Sequence, residues 1–214
     1  LNISGANTGL TAAITIDADN TASLDNFKGH GTGNVSQSGM LIICGASTGA
    51  LTNNITFGGS SAILNLDNAQ GAVSGTLSGT ASLNITGGSD ISLTGANASL
   101  AGSINIGAAS KATAQESNNI GSTSIDIAST GEFVMNATGS SLWTLTNDIT
   151  GAGQLTKQGA GNVLIDKANL RTGGTAVTAG KLQLGHIDGL GSGDVSVAAA
   201  GALDILDRAI GTFN

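Results

Sequence analysis

The chain of 214 residues contains 34 glycines, no proline and no tyrosine, and its formal net charge at pH 7 is -7. Only 10% of the residues are charged, and so few lysines and arginines exclude a nucleic-acid binder or a protein that docks on anionic lipid. A hydrophobic content of 40% excludes a disordered chain. The composition therefore predicts a folded chain with a core of small and aliphatic side chains.

Long polar stretches interrupt the apolar pattern at three places along the chain. Residues 26–34 are rich in glycine and polar side chains and lengthen the spacing between apolar positions. We expect a loop extruded from the fold near residues 25–40. Smaller excursions are expected near residues 108–120 and 185–193.

A short unit of one apolar, one polar and one apolar residue recurs about every 20 residues and is followed by a turn-forming stretch. Alternation with a period of two is typical of a strand, and clusters of Gly, Ser, Asn and Asp are typical of turns. The units begin at Leu64, Leu83, Ile104, Ile125, Trp143, Val163, Leu182 and Leu203, and the unit at Val163 differs in having Leu164 at its middle position.

The period indicates a solenoid, because a unit of about 20 residues with short strands cannot bury an apolar face alone and must stack on its neighbours. No stretch shows the spacing of an amphipathic helix. We therefore predict an all-β parallel β-helix with about ten coils of about 20 residues each.

The middle residue of each unit points away from the core if its two neighbours point inward. Stacking of successive coils then predicts a column of polar side chains on one flat sheet, formed by Asn65, Asn84, Asn105 and Asp126. We regard this column as a candidate face for self-association. The alternative is a face that is merely solvated.

Catalytic and metal-binding patterns are weak in this sequence. Residues 45–49 satisfy the G-x-S-x-G pattern around Ser47, but no helical segment follows as a nucleophile elbow requires. His30 and His186 lie in glycine-rich stretches, without Cys, Asp or Glu at metal-ligand spacing, and we expect both to be solvated. We expect no catalytic residue, no metal and no cofactor.

Four other residues have ordinary structural explanations. Asp17 and Asp19 are expected in a solvated turn, because a calcium site needs six or more oxygen ligands. Cys44 follows two isoleucines and is expected to be buried, and Trp143 occupies an apolar position of the repeat and is expected in the core.

Two aspartates could suggest a hydrolase, since β-helical enzymes that act on sugars carry paired carboxylates. Asp126 and Asp204 both occupy the middle position of a unit. If they lie in one column with three units between them, they are roughly 19 Å apart at about 4.8 Å per coil. That distance is too long for a glycosidase pair.

The C-terminal part carries a more specific pattern. Gly151, Gly153, Leu155, Lys157 and Gly159 follow G-x-G-x-L-x-K-x-G, and residues 173–182 follow G-G-T-x-V-x-x-G-x-L. This pattern resembles the passenger-associated repeat of bacterial type V autotransporters. Arg171 stands where that family often has a tyrosine.

The resemblance implies a right-handed parallel β-helix, secreted or displayed on the surface of a Gram-negative bacterium through a C-terminal β-barrel of the parent protein. It implies a β-helical passenger stalk over residues 1–150 and a passenger-associated repeat over residues 151–214, whose coils nucleate folding during secretion. Adhesion or bacterial self-association is the expected role, with the same protein on neighbouring cells or a host surface receptor as partner.

Two other roles stay open: a carbohydrate-active β-helix enzyme, and the scaffold part of a toxin passenger. The apolar runs are only about five residues long, so we expect no membrane insertion by this segment. The N-terminal residues show no signal-peptide pattern, and the absence of an initial Met favours an excerpt of a longer protein.

Overall fold

The computed structural model describes the backbone of residues 1–210 and the side chains of residues 1–207. The fold is all-β, with parallel sheets stacked as a β-solenoid of about 10 turns and about 21 residues per turn, as the sequence predicted. None of the described helices is long and apolar enough to cross a membrane. In chain order the strands are β1 Asn2–Ile3, β2 Ile14–Ile16, β3 Thr21–Leu24, β4 Val35–Gln37, β5 Met40–Ile43, β6 Thr48–Leu51, β7 Ile55–Asp67, β8 Gln70–Val73, β9 Leu77–Thr86, β10 Asp90–Leu93, β11 Leu100–Ile106, β12 Lys111–Ala114, β13 Ser124–Ile127, β14 Glu132–Asn136, β15 Trp143–Leu145, β16 Ile149–Gly151, β17 Gln154–Gln158, β18 Asn162–Ile165, β19 Thr175–Val177, β20 Gly180–His186, β21 Val195–Val197 and β22 Gly201–Ile210.

Three sheets form the walls of the solenoid. The first sheet follows the order β1-β3-β5-β7-β9-β11-β13-β16, with β2 and β4 joining it through β7. The second sheet contains the even-numbered strands from β6 to β14 and then β17, β19 and β21, and the third contains β15, β18, β20 and β22. Each strand pairs with the strand one coil away, so side chains that face the same way stack in columns along the axis.

The core consists of aliphatic columns that run along the solenoid axis. In the first sheet, every side chain of one such column is at most 1% exposed. Burial of an aliphatic side chain of this size stabilises the folded state by about 1.5–3 kcal/mol. Its members are Leu41, Leu64, Leu83, Ile104, Ile125 and Ile149.

The eight repeated units do not form one column, which corrects the sequence prediction. The first four units pair in the first sheet, up to Ile125, and the last four pair in the third sheet, from Trp143 onward. Asp126 and Asp204 therefore lie on different sheets. The first sheet ends at β16, close in sequence to β15, where the third sheet begins. The alternation of apolar and polar residues is the same in both sheets, so the sequence does not show to which sheet a strand belongs.

The stretch 26–34 is a corner of the coil and not an extruded loop, so that prediction was wrong. Phe27 and His30 are each only 1% exposed. A Cβ at Gly31 would lie 2.0 Å from the Leu10 carbonyl oxygen, and one at Gly33 would lie 1.9 Å from that of Ala12. The glycines of this stretch let the backbones of two neighbouring coils approach more closely than a residue with a Cβ would permit.

The two smaller excursions are also parts of the coil. Within 108–120 the chain forms β12 and a 3-10 helix, Ser117–Asn119, whose Asn119 is buried. Within 185–193 a 3-10 helix, Ile187–Leu190, buries Leu190 in the core.

Buried asparagines close several corners by bonding to the backbone of a neighbouring coil. The Asn53 amide donates to the Gly33 carbonyl at 2.6 Å, and the Asn147 amide donates to that of Thr123 at 2.7 Å. Asn169 accepts from the Ile149 N–H at 2.8 Å and donates to the Gly189 carbonyl at 2.9 Å. These amides satisfy corner backbone groups that no strand partner reaches.

The coils continue across the expected boundary between residues 150 and 151. Strand β16 spans it, and the second sheet runs without interruption from β14 through β17 to β19. Residues 211–214 of the C-terminal segment lie outside the described residues. The division into a stalk and a folding module stays a prediction about folding.

Candidate functional site

The four residues of the predicted polar column do stack on the outer side of the first sheet. Asn65 lies opposite Asn84, Asn84 opposite Asn105, and Asn105 opposite Asp126. Their neighbours in each strand are core residues, so the four side chains face outward. The three asparagines are half-buried between their neighbours, whereas Asp126 is exposed.

Hydrogen bonds link the column from coil to coil. The Asn105 amide nitrogen donates to Asn84 Oδ1 at 2.8 Å, and the Thr86 hydroxyl donates to Asn65 Oδ1 at 3.3 Å. At the C-terminal end the Thr150 hydroxyl donates to Asp126 Oδ1 at 2.7 Å. Of the four column residues only Asn84 and Asn105 bond directly to each other, and Asn65 and Asp126 are held by threonines of the neighbouring coils. We call this partly bonded column a ladder.

A row of serines widens this surface. Ser82 lies opposite Ser103, and Ser103 opposite Ser124, with the Ser103 and Ser82 hydroxyl oxygens 3.3 Å apart. On the N-terminal side the column is interrupted by Ile42, which lies opposite Asn65, and it continues with Ser23 and Asn2. We call the polar part the amide face; it comprises Asn65, Asn84, Asn105, Asp126, Ser82, Ser103 and Ser124.

His30 is buried, which contradicts the expectation of a solvated loop histidine. Neither ring nitrogen has a hydrogen-bond partner among the described residues. Apolar side chains such as Leu24 and Val35 line the same cavity of about 400 Å³. Loss of solvation on burial lowers the pKa of His30 from its ordinary value of 6.5, so the ring is neutral at pH 7.

His186 is the last residue of β20 and is partly exposed, unlike His30. Its Nδ1 accepts from the Asp188 N–H at 3.1 Å and lies 3.8 Å from Asp188 Oδ2. This contact begins the 3-10 helix that follows. Among the described residues no three His, Cys, Asp or Glu side chains are grouped as a metal site would require.

The remaining candidates have structural roles. Ser47 is buried, accepts from the Phe27 N–H at 2.9 Å and is followed by a strand, so the G-x-S-x-G pattern forms no nucleophile elbow. Asp17 and Asp19 are exposed in a turn, and Trp143 is in the core, as predicted. Cys44 is only half-buried and not buried as expected, because it directly follows the inward-facing Ile43 at the end of β5 and so faces outward, 3.7 Å from the Ser23 hydroxyl.

The lysine of the C-terminal motif lies inside the solenoid. Lys157 is fully buried at an inward position between Met135 and Val177. Its Nζ donates to the carbonyls of Gln158, Gly159 and Ala179 at 2.8–3.0 Å, which uses all three of its donors. Burial lowers the pKa of Lys157.

Arg171 is a second buried cation and joins three successive coils. Its Nη1 donates to Thr175 Oγ1 at 2.7 Å and to the Leu190 carbonyl at 3.0 Å. Its Nη2 donates to the carbonyls of Gly153 and Gly174 at 3.0 and 2.7 Å. Desolvation lowers the pKa of Arg171 to about 10, which still leaves it charged at pH 7.

Sequence reasoning missed this use of the two cations. Lys157 was noticed only as a motif residue and Arg171 only as a departure from the pattern. The available signal was the position of Lys157 two residues after Leu155, on the same inward side of the strand.

The fold and its surfaces define a β-solenoid segment with a polar outer face and cationic clamps inside its C-terminal coils. No family model matches the chain, and no solved structure matches it. The chain is similar to the "uncharacterized lipoprotein YdeK" of Escherichia coli strain K12, with 26% identity over 213 residues. The match covers 92% of this chain and 14% of that relative, so the chain spans a small part of its length.

Proposed function

We propose that the chain is a non-enzymatic β-solenoid segment of an autotransporter passenger that is displayed or secreted by a Gram-negative bacterium and mediates self-association. The motif over residues 151–182 supports the passenger assignment. The name of the E. coli relative, a lipoprotein, supports an association with the cell envelope. The observation that carries the self-association is the ordered amide face on the first sheet.

The amide face suits contact with a second copy of itself. An asparagine side chain both donates and accepts hydrogen bonds, so two such ladders in a two-fold arrangement offer matching groups. Both ladders repeat at the spacing of stacked strands, about 4.8 Å, and so remain in step over several coils. Asp126 is the one charged residue among the seven of the face, and Asp67 flanks the face on the outer side of β7, so few like charges meet between copies.

The buried cations support the folding role of the C-terminal coils. Lys157 needs the Ala179 carbonyl, and Arg171 needs the Leu190 carbonyl, both from the following coil. A cation leaves water at low cost only when its acceptors are already in place. The coils that contain residues 153–190 therefore form together, and in this proposal the preceding coils stack on them.

The self-association is tested by cell clumping. We expect the double variant Asn84→Lys, Asn105→Lys to abolish clumping of cells that display the chain, because each pair of facing surfaces then gains like charges. The matched control is Ser92→Lys, Thr113→Lys, which places the same charges on adjacent coils of the second sheet. Unchanged clumping of the first variant, or equal loss in both, would contradict the proposal.

A further inference from the structure

A polar cavity of about 440 Å³ lies beside the ends of β12 and β14 of the second sheet, next to the start of β15 in the third. Its walls come from two neighbouring coils, residues 115–117 on one side and residues 137–143 on the other. The volume is in the range of small-molecule sites. It lies away from the amide face, and none of the roles proposed above uses it.

Trp143 supplies the inner wall of this cavity. The residue is 4% exposed, and its indole Nε1 has no hydrogen-bond partner among the residues that the structure describes. A buried donor without a partner is costly, and Trp143 places such a donor in a residue that lines the cavity. Ala137 and Leu142 add apolar surface beside the ring.

The other lining side chains are amide, hydroxyl and carboxylate groups, from Gln115, Ser117, Thr138, Ser141 and Glu116. This set donates and accepts hydrogen bonds at several points around a small volume. No lysine, arginine or histidine lines the cavity, and Glu116 is its one charged residue, so an anionic ligand would be repelled.

We propose that this cavity binds a neutral sugar residue of a glycan. Hydroxyl groups of the sugar match the polar side chains, and its apolar ring face matches the exposed side chain of Leu142, behind which Trp143 and Ala137 are buried. The site binds without hydrolysis, because a glycosidase needs two carboxyl groups and the cavity contains one.

The chain contains its own probe for this site. Trp143 is the single tryptophan and there is no tyrosine, so fluorescence excited at the indole band reports the cavity wall alone. The experiment titrates the whole chain with D-glucose, D-galactose and N-acetyl-D-glucosamine, and with D-glucuronate as an anionic sugar of similar size. Calorimetry on the same samples confirms that the optical signal reports binding.

Two variants and a control locate the binding. Ser117→Arg fills the rim from an exposed position, and Glu116→Gln removes the carboxylate. Asp194→Asn makes the same change of charge at an exposed position outside the cavity. We expect saturable binding of at least one neutral sugar, weakened about tenfold or more by Ser117→Arg and Glu116→Gln and unchanged by Asp194→Asn.

Three results would overturn the proposal. The first is the absence of saturable binding by any of the neutral sugars. The second is binding that survives Ser117→Arg undiminished, which would place it elsewhere on the solenoid. The third is D-glucuronate binding as tightly as D-glucose, which would show that the site does not select a neutral ligand. Since cell clumping is not measured here, failure of this proposal is separate from failure of the proposed function.

Discussion

Replacement of Arg171 is expected to destabilise the C-terminal coils strongly. Arg171→Ala leaves the carbonyls of Gly153, Gly174 and Leu190 and the Thr175 hydroxyl without their donor. At about 1 kcal/mol for each unsatisfied buried group, the lower end of the usual range, the free energy of unfolding falls by about 4 kcal/mol. Water that enters the vacated space reduces this loss, and the lost packing of the long side chain increases it.

Urea denaturation followed by circular dichroism measures the effect. With a slope of up to about 3 kcal/mol per molar urea, a loss of about 4 kcal/mol lowers the midpoint by more than about 1 M. Arg171→Lys keeps the positive charge but not the planar guanidinium, so its urea midpoint should lie between those of the wild type and Arg171→Ala.

The control is Lys167→Ala, which removes a nearby partly exposed lysine that pairs with Asp148. Pairs of this kind contribute about 0–1 kcal/mol. If Arg171→Ala costs no more than Lys167→Ala, the three-coil clamp does not stabilise the solenoid and our explanation of the buried arginine is wrong.

Three further predictions concern the C-terminal coils, the buried His30 and the tight corner at Gly33. A fragment of residues 140–214 should resist protease, whereas residues 1–139 alone should be degraded or aggregate through their open coil end; a stable 1–139 with a labile 140–214 would contradict the folding module. Stability should fall as the pH drops below about 6.5, because the unfolded chain protonates His30 more readily than the folded one does. His30→Leu should flatten this pH dependence, and an equal change of unfolding free energy with pH in the wild type and in His30→Leu, measured by urea titration, would contradict the prediction. Gly33→Ala should lower the melting temperature, because its Cβ would lie 1.9 Å from the Ala12 carbonyl oxygen, whereas Gly59→Ala, where a Cβ meets nothing within 4 Å, should change it little; equal shifts would contradict the corner packing.

The strands and the amide face were predictable from the sequence because a strand has a side-chain period of two. Once Leu64 and Leu66 are placed inward, Asn65 must face outward, and a regular repeat then fixes which residue stacks on it. Asn84 and Asn105 were therefore assigned correctly to the same column. The side-chain period of two was sufficient to predict this column because neighbouring coils here have nearly the same number of residues.

The walls and corners were not predictable in the same way. Apolar and polar residues alternate in the same way in all three sheets. The sequence therefore did not show that the unit at Ile125 lies in the first sheet and the next unit, at Trp143, in the third. Glycine-rich polar segments have the composition of solvated loops and also that of tight corners, and only the packing of Gly31 on Leu10 decides between them. The burial of His30 and Arg171 follows from those corners, so the sequence alone did not reveal it.

The role of the amide face is tested most directly by cross-linking between copies. In a Cys44→Ala background, a single Asn105→Cys variant places a thiol on the amide face, and Thr113→Cys places one on the second sheet as a control. Under mild oxidation we expect disulfide-linked dimers from Asn105→Cys and few or none from Thr113→Cys at the same concentration. Equal dimer yields, or a higher yield from Thr113→Cys, would show that the copies do not meet through the amide face.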